Sequence, residues 1–297
     1  MIVKGTAVLQ AGIRSEFIKA YQTGPSFVPT LCTIVPSNKD TESYAWLGEV
    51  TAIREWLGER EITGLTDAKF SIQNKLWEGT IGVKRTEIED DQTGGIMVRA
   101  RDLGTRARQH PDDLLWQTVV ANPTCYDGVS LFNASHPART TAGSAQSNQV
   151  SATGQTVSAL QADIASAIAK MKGFLDERGK PFWPVLAPQD LLIVCSPSLE
   201  FNMRTVVNGS IISNTTNVMQ GCVGDIFVNP WITGNTWYLF YKGGAVKPFI
   251  FQDREPITLD DRLNDSEQGF LRDIYLFGSR ARYNAGPGLW QAAVKVA

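Results

Sequence analysis

The pattern of hydrophobic and polar positions predicts a long extended unit at residues 44–84. From 70 to 84 apolar and polar residues alternate, which is typical of a β-strand with one buried face. Phe70, Ile72 and Leu76 share one phase of this alternation, whereas Trp77 and the apolar residues after it take the other. The phase slips at 75–77. This slip predicts a bulge or a turn, because a shift by one residue moves every side chain to the opposite face.

A repeated tetrapeptide makes the same unit unusually apolar. Trp-Leu-Gly-Glu occurs at 46–49 and again at 56–59, among charged residues. The second copy ends a predicted short helix at 51–57, with Thr51 as its N-cap and Gly58 as the residue that stops it. A two-stranded ribbon alone is marginally stable in water. Large aromatic side chains on such a ribbon therefore indicate a unit that packs against another surface.

Residues 1–43 are predicted to form an irregular, extended arm. A short amphipathic stretch at 13–21 has helical spacing, and Gly24-Pro25 ends it. Pro29 and Pro36 then disfavour further helix, because proline cannot donate the backbone hydrogen bond that a helix interior requires.

A long helix is predicted over 86–121. Acidic residues at 87–91 precede Gly94-Gly95, where carboxylates meet the positive end of a helix dipole. Ile96, Ala100 and Ala107 then recur at helical spacing. Pro111 is followed by two aspartates, which is typical of a new helix start, so we expect the helix to be broken or kinked near residue 110.

The remainder of the chain mixes helices and strands, which predicts the α+β class. Residues 138–156 are poor in hydrophobic side chains and are predicted as a mobile loop. A helix follows, with Ser158 and Gln161 as a capping box. The apolar run at 191–195 predicts a buried strand, and a helix opens after it at 196–198. Further strands are expected at 225–229, 237–242 and 246–251, with a last hairpin that pairs 271–283 with 289–296.

Composition narrows the class of partner and the compartment. The chain has 297 residues and a formal net charge of −2, so nothing in its charge suggests nucleic acid as the main partner. No secretory signal and no apolar run of about 18 residues are apparent, so no membrane span is expected. The four cysteines are scattered along the chain and are predicted to be reduced thiols.

Sequence motifs for catalysis or for a bound cofactor are not apparent. Gly173 and Gly179-Lys180 resemble a phosphate-binding loop, but their spacing is one residue too long and Pro181 replaces the residue that would hold magnesium. His110 and His136 each precede a proline and are predicted to be polar turn residues rather than zinc ligands. We predict no catalytic, cofactor-binding or metal-binding residue, and no enzymatic activity.

Three chemical alternatives stay open at this point. Cys125 and His136 form a conceivable nucleophile–base dyad, because such pairs need only be close in space. The acidic residues at 260–265 could hold calcium, although a solvated loop is favoured because their spacing does not follow the EF-hand pattern. The eight tryptophans could be carbohydrate platforms, but three of them lie in the unit at 44–84, which favours an interface.

Short segments of distinctive sequence follow one another along the chain. They are YAWLG at 44–48, EWLGER at 55–60, SIQNK at 71–75, EGTIGV at 78–83 with Arg85, EDD at 89–91, HPDDL at 110–114, CYDG at 125–128, HP at 136–137, VKPFIFQ at 246–252 and the closing region 286–294. In this order they resemble the major head subunit of Mu-like bacteriophages. The similarity spans most of the chain and is weakest at about 140–240. No single motif decides it, but the ordered set is specific.

This resemblance implies the capsid fold shared by tailed phages, herpesviruses and encapsulins. The implied parts are an N-terminal arm at 1–43, an extended hairpin loop at 44–84, a peripheral domain with a spine helix and the mobile loop at 85–184, an axial domain at 185–245, and a return to the peripheral sheet at 246–297. The hydrophobic pattern independently indicates the arm, the extended unit and the long helix.

The implied function is that of a major capsid protein, which self-assembles as hexamers and pentamers into an icosahedral head around double-stranded DNA. Some capsids of this fold form Lys–Asn cross-links, but we expect non-covalent contacts here. The residues expected at the subunit interface are Trp46, Leu47, Arg54, Glu55, Trp56, Leu57, Glu59, Arg60, Lys75, Trp77, Glu78, Arg280 and Arg282. A neighbouring subunit would bury the tryptophans, and the charged residues would surround them as a polar rim.

The expected partners follow from the same resemblance. No long charged helical leader is apparent before residue 44, so a separate scaffolding protein and a maturation protease are expected during assembly in the host cytoplasm. A portal protein, packaged DNA in weak non-specific contact and a decoration protein are further candidates, and no membrane is expected. Two alternative functions stay open: an encapsulin-like nanocompartment shell, and a monomeric hydrolase or carbohydrate-binding protein.

Overall fold

A computed structural model describes residues 2–44, 47, 70–84, 86–87, 94–137, 144–176, 179–262 and 271–297. Its helices are α1 (Ile2–Thr23), α2 (Val28–Leu31), α3 (Gly95–Ala121), α4 (Val157–Lys172) and α5 (Glu200–Asn208). Its strands are β1 (Cys32–Pro36), β2 (Thr41–Ser43), β3 (Ser71–Gln73), β4 (Lys75–Lys84), β5 (Gln149–Val150), β6 (Leu191–Cys195), β7 (Ile211–Ile212), β8 (Thr215–Thr216), β9 (Asp225–Val228), β10 (Trp237–Tyr241), β11 (Phe249–Arg262), β12 (Ile274–Pro287) and β13 (Ala293–Val296). Within these ranges no helix is long and apolar enough to cross a bilayer.

One sheet has five strands in the order β5-β13-β10-β6-β9. The central strand β10 runs antiparallel to both β6 and β13, and the edge strands β9 and β5 pair in parallel. Every residue of β6 and β10 is buried. Continuous burial of this kind is typical of a sheet that is covered on both faces. Helix α4 packs on β13 and helix α5 on β9, so this sheet carries the larger part of the hydrophobic core.

The second sheet has four strands in the order β1-β11-β12-β4. The long strands β11 and β12 are antiparallel, and β4 pairs with β12 along its whole length. Burial alternates along β12, because Tyr275, Phe277, Ala281 and Tyr283 are buried while their neighbours are partly or fully exposed. One face of this sheet is therefore covered, and the other, which we call the open face, is not.

Helices α1 and α3 pack against each other over the covered face. An added Cβ on Gly104 of α3 would lie 2.5 Å from the carbonyl oxygen of Phe17 in α1, so only glycine allows this close approach. The Arg101 guanidinium donates to Glu16 at 3.0 and 2.7 Å and holds the pKa of that carboxyl below its usual range. Ile13 of α1 completes a small core that also contains residues of α3, β4 and β12.

The prediction of an irregular, extended arm at 1–43 is wrong. Residues 2–23 form α1, and β1 joins the four-stranded sheet through parallel pairing with β11. The helix buries Ile13 and Phe17, and its main partner α3 starts some 70 residues later in the chain. A local hydrophobic pattern does not contain such a long-range contact. Pro29 lies in the first turn of α2, where its missing N–H has no cost.

The long helix is confirmed from residue 95 onward rather than from 86. Of the two outcomes predicted near residue 110, the break is wrong and the kink stays a prediction. Helix α3 begins at Gly95 and continues through Pro111, with Leu115 fully buried beyond it. Asp112 does not start a new helix. Its carboxylate accepts hydrogen bonds from the backbone N–H groups of Phe27 (2.7 Å) and Val28 (3.1 Å) and so caps α2 instead. Burial raises the pKa of Asp112, and these hydrogen bonds oppose that rise.

The prediction of a mobile loop at 138–156 is wrong for residues 144–156, while 138–143 lie outside the described residues. Strand β5 pairs with β13, and Asn148 is fully buried. Its side-chain amide donates to the carbonyl oxygen of Leu131 at 2.7 Å. Polar side chains order this segment by bonding to the backbone, and a hydrophobicity pattern carries no signal for such bonds.

Two further predictions need correction. The predicted hairpin of 271–283 with 289–296 does not form, because β12 pairs with β11 and β4 whereas β13 lies in the other sheet. The cap of α4 is Thr156, whose hydroxyl accepts from the N–H of Ala159, rather than Ser158. The buried strand at 191–195 and the helix after it are confirmed. The strands near 225–229 and 237–242 are also confirmed.

Candidate functional site

The open face of the four-stranded sheet presents an apolar side chain among charges. On β4 this face carries Leu76 and Glu78, and on β12 it carries Arg280 and Arg282, each arginine directly opposite one of the β4 residues. Leu76 is 59% exposed. The predicted slip in the alternation phase lies at Asn74, between β3 and β4, one residue before the predicted range. The phase that follows it determines which β4 side chains reach the open face.

The two arginines predicted at a subunit interface have partners within their own chain. Arg280 lies 3.3 Å from Glu255 of β11, and both side chains are substantially exposed. Arg282 lies 2.6 Å from Asp40, which also accepts a hydrogen bond from the Gln73 side chain. Exposed pairs of this kind contribute little to stability. They instead hold both guanidinium groups in place on the open face.

The β4 residues of the prediction divide between the two faces. Glu78 is exposed on the open face and accepts a hydrogen bond from the Thr80 hydroxyl at 2.9 Å. Lys75 is exposed and lies opposite Tyr283. Trp77 points to the covered face, where it is only partly buried and packs against the core. Strand alternation therefore separates Trp77 from Glu78, with which the sequence grouped it, whereas Lys75 shares the phase of Trp77.

Trp77 takes part in a three-ring contact that ties β4 and β12 to α3. Its indole N–H donates to the carbonyl oxygen of Tyr283 at 2.9 Å, and its ring lies 4.5 Å from the ring of His110. The Nδ1 atom of His110 is hydrogen-bonded to the Tyr283 hydroxyl at 2.8 Å. Burial lowers the pKa of His110 and raises that of Tyr283, so both groups are neutral near pH 7.

Leu47 departs from the expectation that a neighbouring subunit buries it. It is 1% exposed in the single chain and belongs to the main hydrophobic core. The adjacent Tyr44 is also buried, and its hydroxyl donates to Gln252 at 2.7 Å. The predicted helix at 51–57 lies outside the described residues. So do seven of the predicted interface residues, which are Trp46, Arg54, Glu55, Trp56, Leu57, Glu59 and Arg60.

A second group of exposed apolar side chains escaped the sequence prediction. Phe201 of α5 is 80% exposed and Val218 is 90% exposed, and Ile211 and Trp231 also face solvent. All four lie in the stretch between β6 and β10. The helical period at 199–206 already places Phe201 away from the buried Leu199, Met203 and Val206. An apolar residue that lies outside the buried stripe of an amphipathic helix is the sequence signal for this exposed position.

The proposed Cys125–His136 dyad is not supported by the geometry. Both ring nitrogens of His136 are already hydrogen-bonded, to Asp127 at 2.5 Å and to Asn148 at 3.1 Å. The Cys125 thiol donates instead to the carbonyl oxygen of Gly288 at 3.4 Å. Among the described residues, no group of three or more His, Cys, Asp or Glu side chains has the geometry of a metal site.

The fold is that of a phage capsid subunit. The procapsid structure of bacteriophage JBD30 matches with a TM-score of 0.61 and 26% identity, covering 98% of this chain and 74% of that chain. The mature capsid of bacteriophage PhiM1 matches with a TM-score of 0.59 at 12% identity, covering 92% and 86%. A virus-like particle from Pyrococcus furiosus shares the fold with a TM-score of 0.58 at 12% identity, covering 97% and 98%.

Within this class the sequence defines the family. A sequence model of the Mu-like prophage major head subunit gpT matches residues 6–161 and 233–297. The chain therefore belongs to the Mu-like major head subunit family. It is 27% identical to the major capsid protein of Escherichia phage Mu over 301 residues, which cover all of this chain and 75% of that protein. It is 26% identical to the FluMu major head subunit of Haemophilus influenzae over 290 residues, which cover 96% and 70%.

Family membership confirms the resemblance read from the ordered segments and the predicted α+β capsid fold. The function is that of a major capsid protein, a structural component of the phage particle. The stretch between the two matched parts, 162–232, contains the exposed Phe201, Ile211, Val218 and Trp231.

Proposed function

We propose that this subunit assembles as hexamers and pentamers into an icosahedral head around double-stranded DNA, through non-covalent contacts. The open face is the observation that carries the proposal. Leu76 lies there largely exposed, with Arg282 opposite it and Glu78 next but one along the strand. An apolar centre with a charged rim is the arrangement of a protein–protein interface. Contacts between different patches of identical subunits close into rings when the rotation permits.

The exposed apolar side chains between β6 and β10 support the proposal that subunits also meet around the centre of each ring. Phe201, Ile211 and Val218 fall in the stretch 185–245, which the capsid resemblance assigns to an axial domain. A monomer gains nothing by leaving large apolar side chains in water. Burial against the same region of neighbouring subunits would remove that cost.

The aromatic residues outside the described ranges complete the proposal on sequence grounds. Trp46, Trp56 and the charged residues between them form the part of each subunit that we place over its neighbour. Truncation of Trp56 to alanine is expected to weaken the subunit contact by about 2–4 kcal/mol, the range of a buried aromatic hot spot. Normal shells at normal yield in electron micrographs of this variant would remove Trp56 from the interface.

The experiment that tests the open face compares two exposed apolar residues. Leu76→Ser alters the open face, whereas Val98→Ser alters an equally exposed position on α3, on the opposite side of the sheet. Electron microscopy and sedimentation are expected to show fewer shells for Leu76→Ser and wild-type yield for Val98→Ser. Equal yields for both variants, with the subunit folded, would contradict assembly through the open face.

The partners of assembly follow from the capsid function. We infer a scaffolding protein, a maturation protease and a portal protein, with DNA held by confinement rather than by tight binding, and a decoration protein as a further candidate. Subunits are made in the host cytoplasm and end in the virion. On denaturing gels of purified particles this subunit is expected to run as one band at 32.6 kDa. A ladder of higher bands would contradict a non-covalent shell.

A nanocompartment shell is the alternative function, because the virus-like particle from Pyrococcus furiosus has the same fold over nearly its whole length. Family membership favours the phage head. Nuclease-protected DNA inside purified particles would agree with the head, and an enzyme cargo without DNA would favour the compartment.

A further inference from the structure

His136 is enclosed by three separate parts of the chain. Its side chain is fully buried and its ring stacks on Trp290, with the centroids 4.0 Å apart and the planes 6° from parallel. Nδ1 lies 2.5 Å from a carboxylate oxygen of Asp127, and Nε2 lies 3.1 Å from the amide oxygen of Asn148. Among the described residues, Asp127 is the charged side chain that contacts this ring.

The orientation of Asn148 fixes the role of Nε2. The backbone N–H of Asn133 donates to Oδ1 of Asn148 at 2.8 Å, and Nδ2 donates to the carbonyl oxygen of Leu131 at 2.7 Å. A backbone N–H can only donate and a carbonyl can only accept, so the amide cannot be reversed. Its oxygen therefore faces the ring, and Nε2 of His136 must carry a proton and donate it.

The second ring nitrogen faces an acceptor as well. The other oxygen of Asp127 accepts from the N–H of Val129 at 3.3 Å, which suits an ionised carboxylate. A carboxylic acid is a stronger acid than an imidazolium, so the proton between Nδ1 and Asp127 belongs to the ring. We propose that His136 is a buried imidazolium, and that its ion pair with Asp127 is a proton-dependent clasp joining the turn at 125–128, the segment at 144–150 and Trp290.

The surroundings meet the requirements of a buried charge. Removal of an ion from water is costly unless a partner and hydrogen bonds compensate for it. Asp127 supplies the opposite charge, Asn148 accepts the second N–H, and the face of Trp290 attracts a cation. The clasp fastens a polar segment to the end of the five-stranded sheet, next to the pairing of β5 with β13.

Nitrogen-15 NMR of the full chain labelled at histidine tests the protonation state directly. The chain has two histidines, so His110 is an internal reference. At pH 7.5 we expect both ring nitrogens of His136 to be protonated and one nitrogen of His110 to be unprotonated. The variant His110→Gln assigns the signals. An unprotonated ring nitrogen on His136 at this pH would overturn the proposal.

The isosteric variant Asp127→Asn tests the coupling. Its amide can donate to Nδ1, so His136 is expected to become neutral, with Nε2 alone protonated, while the shape of the site stays the same. Nitrogen-15 NMR of this variant at pH 7.5 is expected to show one unprotonated ring nitrogen on His136, whereas the wild type shows none. Two protonated ring nitrogens on His136 in the variant would overturn the clasp. If the variant does not fold, the NMR measurement on the wild type still decides.

Discussion

The two larger sheets of the described residues bury their side chains in different ways. In the five-stranded sheet, β6 and β10 are buried at every position. In the four-stranded sheet, β12 alternates between buried and partly or fully exposed residues, and the open face leaves Leu76 in water. Complete burial is thus concentrated in the five-stranded sheet, whereas the other sheet leaves one face in solvent.

The largest expected effect separates the two sheets by one substitution in each. Leu239→Ala in the centre of β10 removes a fully buried side chain and is expected to cost about 2–5 kcal/mol of unfolding free energy. Leu76→Ala on the open face is the matched control and is expected to cost less than about 0.5 kcal/mol. Urea unfolding of the two variants measures the difference. Similar losses of unfolding free energy for both variants would contradict the difference in burial between the two sheets.

The covered face of the four-stranded sheet is tested through two helical glycines. Gly104→Ala places a Cβ against the backbone of Phe17, which cannot move aside, so we expect a loss of about 1–3 kcal/mol. Gly12→Ala meets only the flexible end of Met97, and alanine favours the helix by about 0.5–1 kcal/mol. Thermal unfolding should therefore rank Gly12→Ala above Gly104→Ala. The reverse order would contradict the close packing of α1 on α3.

His110, which lies against Trp77 of β4 and Tyr283 of β12, makes the stability of the four-stranded sheet depend on pH. Burial lowers the pKa of His110 in the folded chain. Because this pKa is lower in the folded chain, neutral His110 stabilises the folded state above about pH 6.5. This stabilisation is lost as the pH falls toward the pKa of His110 in the folded chain. The wild type is thus expected to lose stability below pH 6.5 more steeply than His110→Gln. Parallel melting curves from pH 7 to 5 would contradict this.

The smallest expected effect concerns the ion pairs of the open face. Arg282→Ala breaks the pair with Asp40 and is expected to cost about 0.2–1 kcal/mol, less at high salt. Arg280→Ala is the companion variant, since its pair with Glu255 is more exposed. A loss above about 2 kcal/mol in the isolated subunit would mean that these arginines serve the fold rather than the surface.

Some parts of this structure follow from local sequence. The run at 191–195 predicted a buried strand because the helices and strands around it leave no face for polar residues. Alternation after Trp77 predicted β4, because α1 and α3 cover only one face of its sheet. The ordered segments predicted the family, and the family model that matches residues 6–161 and 233–297 confirms it.

Other parts depend on contacts between distant residues. Asp112 caps α2, which lies more than 80 residues earlier in the chain, so its position after Pro111 misleads a local interpretation. Helix α1 forms against Gly104, and Asn148 orders its segment through carbonyl groups that no hydrophobic pattern records. The candidate interface was also only partly predictable. Composition pointed to the tryptophans, but the exposure of Phe201 and Val218 depends on which faces the neighbouring elements leave uncovered.

Electron cryomicroscopy of the purified, assembled protein tests whether subunits meet through the open face. We expect closed icosahedral shells in which Leu76, with Arg280 and Arg282 around it, is buried against a neighbouring subunit. Two results would contradict assembly through the open face. One is a shell in which the open face of every subunit remains in solvent. The other is a stable 32.6 kDa monomer under conditions in which related capsid proteins assemble.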